Sequence, residues 1–139
     1  MLAGQWPVRV YYEDTDHGGG VYYANYLKFF ERGRTELLRA AGFEQDELAR
    51  EAGILFVVRR VEVDYLRPAV FNDALQVVTE VSDLGRSRVD FAQAIYREGE
   101  AAPLCHGVVR IACVSADAFR PARIPQALKT ALGAAPTDS

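Results

Sequence analysis

Apolar residues recur along this chain with two different periods. From Trp6 to Tyr12 they alternate, with Trp6, Val8, Val10 and Tyr12 on one side and Pro7, Arg9 and Tyr11 on the other, which predicts a first strand. A polar, glycine-rich turn follows, running from Glu13 through Asp14, Thr15, Asp16 and His17 to Gly18, Gly19 and Gly20. Over about residues 23–41 the period is helical. Tyr26, Phe30, Gly33, Leu37 and Ala41 return every three or four residues and form one apolar stripe. Gly33 within that stripe costs about 1 kcal/mol of helix propensity against Ala, so a close approach to a sheet is expected there. Gly42 stands where a left-handed helix cap belongs, with Phe43 behind it. A short second helix is expected over about 44–52, ending near Gly53.

The remainder reads as strands. Leu55, Val57, Arg59, Val61, Val63 and Tyr65 alternate with Phe56, Val58, Arg60, Glu62, Asp64 and Leu66, so the second half of that strand has one wet face before Pro68 ends it. Leu75 to Val81 and Arg88 to Arg97 flank a turn at Asp83-Leu84-Gly85-Arg86, and Gly99 marks a second turn, giving two successive hairpins. Leu104 to Val114 is apolar on both faces apart from His106 and Arg110, which suits an interior strand. A short helix over Pro125 to Leu132 and a disordered tail over 133–139 complete the expectation. The order of one strand, one long helix and four turn-linked strands is not the alternation of a parallel fold. It predicts an α+β domain, one long helix on a curved antiparallel sheet of about five strands.

Composition narrows the function. The 139 residues suit one domain over 1–132, with no room for a separate cofactor domain. A formal charge of -3 supplies no basic excess, which argues against nucleic acid as a partner. No apolar run approaches the roughly 18 to 20 residues of a transmembrane segment, and the first residues do not read as a signal peptide. With Cys105 and Cys113 spaced unlike a disulfide framework or metal site, a cytoplasmic protein with buried reduced thiols is expected.

The turn before the long helix carries the chemistry. His17-Gly18-Gly19-Gly20 matches a lipase oxyanion loop, but no G-x-S-x-G elbow accompanies it around Ser82, Ser87, Ser115 or Ser139. Asp14 and Asp16 alone under-coordinate a hard cation, and the glycines lack the G-K-[ST] ending of a phosphate loop. What stands is a carboxylate ahead of a helix N-terminus, whose free amides and partial positive charge suit a developing oxyanion. Asp16 then offers a base or nucleophile and the amides of Tyr23 and, more weakly, Tyr22 an oxyanion site. Such a pair suits thioester cleavage, because a thiol of pKa near 8 to 9 leaves as a thiolate. On spacing alone, Asp16 reads equally well as a cap or turn residue.

The run from Val8 to Tyr26, continuing through Phe30-Glu31-Arg32-Gly33-Arg34-Thr35-Glu36, resembles the signature of hot-dog-fold acyl-CoA thioesterases. Phe56-Val57-Val58-Arg59-Arg60 and Val63-Asp64-Tyr65-Leu66-Arg67-Pro68-Ala69 extend the likeness to about four-fifths of the chain. Within the 4-hydroxybenzoyl-CoA thioesterase family it is nearest the branch tied to the Tol-Pal envelope system. The resemblance implies catalysis by Asp16, with the Tyr23 amide polarising the carbonyl, and His17, Gly19, Asn25, Tyr26 and Glu31 in support. Where the nearest branch usually has His, this chain has Tyr23, so the acyl class stays open. Arg59, Arg60, Arg86 and Arg88 are the candidates for holding coenzyme A phosphates. The resemblance also implies no metal and no cofactor, an acyl-CoA substrate, and a homo-oligomer, either dimer or dimer of dimers, with the site between subunits. Two other readings stay open: a scaffold or acyl-carrier-protein binder in envelope biogenesis, and a hot-dog dehydratase using His17.

Overall fold

The computed structural model describes residues 1–134, so the tail expected to be disordered falls, from residue 135 on, outside the described residues. The elements run β1 (Ala3–Arg9), a 3-10 turn (Tyr12–Asp14), α1 (Tyr23–Ala40), α2 (Gln45–Glu47) with a π turn (Leu48–Ala52), β2 (Ile54–Tyr65), β3 (Ala74–Leu84), β4 (Arg88–Arg97), β5 (Cys105–Ser115) and α3 (Gln126–Gly133). Five strands form one sheet in the order β1-β3-β4-β5-β2. Every neighbouring pair is antiparallel. β5 takes the interior place its two apolar faces predict.

Helix α1 buries Tyr26, Phe29, Phe30, Gly33, Leu37 and Leu38, each large side chain contributing about 1.5–3 kcal/mol by leaving water. Gly33 is the point of closest approach: a Cβ there would lie 2.7 Å from Val77 Cγ1 and 2.8 Å from Thr79 Oγ1 on β3. The helix ends as expected. Phe43 N–H donates to the Leu38 carbonyl and Gly42 N–H to the Arg39 carbonyl, with Gly42 at φ +96°, the paired closure of a Schellman cap. Gly53, at φ +67°, likewise ends the second helical segment.

Three details depart from the alternation read in the sequence. β1 lies three residues earlier, because Arg9 already pairs with Ala74, the first residue of β3, and the ladder stops there. Val10 is nevertheless fully buried, while Tyr11 N–H donates to Asp14 Oδ2 at 2.9 Å and turns the chain outward. In β2 the pairing slips between Val58 and Arg60, so Arg59 occupies a bulge and the inward set changes parity. Phe56 and Val58 sit opposite Cys113 and Ile111, and Val61, Val63 and Tyr65 opposite Val109, Gly107 and Cys105. All five therefore share the helix side of the sheet. Lastly, α1 packs on β1, β3 and β4; the helix-side side chains of β5 are still buried, and it is β2 at the edge that leaves Val58, Val61 and Tyr65 exposed.

Candidate active site

The turn after the 3-10 segment closes on itself around Asp16. Its N–H donates to the Gly20 carbonyl at 2.9 Å and its carbonyl accepts from Gly19 N–H at 3.0 Å. Its Oδ1 accepts from Gly18 N–H at 2.9 Å. Gly19 adopts φ +82°, a conformation side chains disfavour. One carboxylate oxygen of Asp16 thus holds the turn, while Oδ2 makes no hydrogen bond among the described residues. The residue itself is exposed.

A second chain segment supports this turn from below. Val21 N–H donates to the Ala69 carbonyl at 2.8 Å, and Gly20 bridges Val70. Ala69 N–H in turn donates to the Tyr26 hydroxyl at 2.9 Å, and burial pushes that phenol above its ordinary pKa. Asn25 Nδ2 donates to the Asp14 carbonyl at 2.9 Å. Asn25 and Tyr26, both foreseen near the site, are thereby positioning groups that tie the start of α1 to the turn. Asp14 was read only as half of a metal motif. It is instead a buried staple, its carboxylate accepting from Tyr11 N–H.

The same carbonyl of Asp14 corrects one expectation. It accepts the Tyr22 N–H at 3.0 Å, so the amide offered as a weaker oxyanion donor is engaged within the turn. Tyr22 is the N-cap and supplies no side-chain cap. The amide of Tyr23 opens the helix, where N–H groups lack intrahelical partners. Around it gather exposed aromatics: the Tyr22 and Tyr23 rings are 4.7 Å apart, and Tyr65 on β2 approaches Tyr23 at 6.1 Å and Tyr26 at 5.5 Å. Tyr65 was given no site role in the sequence; its place in the alternating strand and in the run Val63 to Ala69 that extends the family likeness hinted at it.

Other candidates lie apart from this cluster. His17 is exposed and makes no ion pair among the described residues, so nothing gives it the acidic partner a dehydratase histidine needs. Glu31 is two helical turns beyond Tyr23, roughly 12 Å along α1, and its Oε1 accepts from the Thr35 hydroxyl. Of the four arginines, Arg59 and Arg88 line one cleft of about 350 Å³ together with Arg110, which was not anticipated. Arg60 pairs instead with Glu62, and Arg86 is exposed. Asp90 binds Arg110 at 3.0 Å and Arg88 at 3.0 Å. The Arg110 hydrogen bond, aided by Arg88, holds its carboxyl below the usual range despite burial. Cys105 and Cys113 are free and buried, and desolvation pushes the Cys105 thiol up to about 12, which leaves it unreactive.

A long helix laid on a five-stranded antiparallel sheet, with a carboxylate turn at its start, defines the hot-dog class of protein. A probable thioesterase from Bartonella henselae has this structure with a TM-score of 0.82 and 38% identity, covering 88% of this chain and 99% of that one. A 1,4-dihydroxy-2-naphthoyl-CoA thioesterase from Synechocystis shares the fold with a TM-score of 0.87 at 20% identity, covering 94% and 95%. The chain belongs to the thioesterase-like superfamily, which it matches over residues 10–132. It is 44% identical to the acyl-CoA thioesterase YbgC of Haemophilus influenzae across 91% of both chains.

Proposed function

We propose that this chain hydrolyses acyl-CoA thioesters to a carboxylate and free coenzyme A, with Asp16 and the N-terminus of α1 as its machinery. The observation that carries the reading is the Asp16 turn, which fixes Oδ1 on Gly18 N–H, leaves Oδ2 without a hydrogen bond among the described residues, and runs within a few residues into the N-terminus of α1 at Tyr23. The acting oxygen is Oδ2, either attacking the carbonyl or taking a proton from water. The carbonyl oxygen gains negative charge at the Tyr23 amide as Oδ2, or the water it activates, adds to the carbonyl carbon. Collapse of that oxyanion then breaks the carbon–sulfur bond and expels the thiolate, which takes up a proton. Where Oδ2 itself attacked, water hydrolyses the resulting aspartyl anhydride to release the carboxylate. A positioned base contributes about 10²–10⁴-fold and one oxyanion donor about 10²–10³-fold, so no metal step is invoked. The relatives named above, thioesterases in name, support the class of reaction.

Substrate contacts extend this reading. Arg59 and Arg88, with Arg110, supply the cationic cleft for coenzyme A phosphates. An acyl chain on acyl carrier protein presents the same thioester and is a second donor the site accepts. β2 is a twelve-residue edge strand with exposed Val58, Val61 and Tyr65, and an open apolar edge of that length favours pairing with a second copy. A dimer, or a dimer of such dimers, would cover it and set sheet residues of one subunit opposite Asp16 of the other. A location in the cytoplasm fits two reduced, buried thiols; among the described residues no helix is long and apolar enough to cross a membrane.

Asp16→Asn should lower kcat by roughly 10²–10⁴-fold while the far-ultraviolet circular dichroism stays that of the wild type. Undiminished turnover of a panel of short, long and aromatic acyl-CoAs by that variant would remove Asp16 from the mechanism.

A further inference from the structure

Between α1 and the β4-β5-β2 side of the sheet lies a cavity of about 140 Å³, the volume in which an apolar cavity holds roughly one benzene ring. Its sheet wall is apolar, formed by Phe56, Val58, Phe91 and Ile111. Its helix wall carries Arg34 and Glu31. Arg34 is only 9% exposed. Among the described residues no carboxylate lies within ion-pair distance of it, and its guanidinium donates only to Gln93 Oε1, at 2.9 Å. That acceptor is itself aimed: the Gln93 amide donates to the Phe30 carbonyl and the Thr79 hydroxyl, both at 2.8 Å. The guanidinium is thus held in place by a neutral group, with donors to spare beside an apolar space. A buried cation without an anionic partner is costly.

The row Phe56, Val58, Val61, Val63 and Tyr65 on the helix side of β2 connects this cavity with the aromatic cluster at Tyr23. Along α1, Arg34 lies roughly 16 Å from Tyr23, and helical side chains lean back toward the N-terminus. A group bound at Arg34 is therefore about 10 to 16 Å from the thioester carbon, the reach of a chain of roughly eight to twelve carbons.

We infer that the cavity receives the far end of a medium-length acyl chain and that Arg34 binds a carboxylate there, making ω-carboxyacyl-CoA thioesters a preferred substrate class. The inference rests on the thioesterase reading above. Glu31 also borders the cavity, but it is exposed and engaged with Thr35, so it weakens the attraction of Arg34 for an anion less than a buried carboxylate would. Burial disfavours the charge on Arg34 and Glu31 partly offsets this; a bound carboxylate would stabilise the cation further.

The test compares decanedioyl-CoA with decanoyl-CoA. Wild-type enzyme should favour the dicarboxylic substrate by about tenfold in kcat/KM, and Arg34→Met should bring that ratio to one or below. The ratio is measured within one preparation, so a smaller folded fraction of the variant cancels. Equal or greater kcat/KM for decanoyl-CoA on the wild type overturns the inference. Calorimetric titration of the wild type with free decanedioate and decanoate gives a reading without turnover: tighter binding of decanedioate supports the assignment, and equal or weaker binding refutes it. If neither ester is cleaved, the thioesterase reading fails, while the titration still decides the role of Arg34.

Discussion

Gly33 shows how a single missing methyl sets the spacing of helix and sheet. Ala would gain about 1 kcal/mol of helix propensity, yet its Cβ would press on two buried side chains, Val77 and Thr79, at under 3 Å. Overpacking of this kind costs about 1–3 kcal/mol. Gly33→Ala should therefore be destabilised by up to roughly 2 kcal/mol in urea unfolding, and a variant more stable than the wild type would show that the sheet can retreat. The close approach was legible, since glycine in an apolar helical stripe has few other uses. Arg34, its neighbour, was not. In the sequence it stands only within the signature run Phe30 to Glu36, with no role of its own, and the polar partner that makes its burial possible, Gln93, is distant in the chain.

At the scale of elements, the turn signals and periods placed α1 and the order of strands, because each depends on residues close in sequence. The bulge in β2 was illegible for the opposite reason. Arg59 and Arg60 are chemically identical neighbours, and which of them falls out of step is settled by β5. The same strand pairs set a pH dependence. Asp90 on β4 lies directly opposite Arg110 on β5, and its folded pKa is lowered. The stabilisation is therefore complete above the ordinary carboxylate value near 3.9 and is lost as pH falls through the lower folded value. Asp90→Asn should cost about 1–3 kcal/mol at pH 7, and the gap between variant and wild type should close in acid unfolding below about pH 4. A constant gap from pH 7 to 2 would assign the loss to packing.

The whole molecule leaves apolar residues of the edge strand β2 exposed, and Tyr65 at the end of that strand lies beside Tyr23 at the start of α1. Light scattering should return at least twice the 15.4 kDa of one chain, with activity eluting at the larger mass; a fully active monomer would put the complete site within one protomer. How Asp16 relates to the sheet was not legible in the sequence: Ala69 belongs to the run that extends the family likeness, but nothing local says that its backbone, with that of Val70, holds a turn about fifty residues earlier.

That support also orders events in time. Asp16 leaves the ribosome early, but the chain that holds its turn, at Ala69, is made roughly 3 to 10 s later at ordinary rates of synthesis. β1 and β2 wait longer still, for their partners β3 and β5. The Asp16 turn is thus among the first segments made but waits for half the chain before its support exists, and until β5 follows, the apolar row of β2 is a risk to the nascent chain that its surroundings must contain.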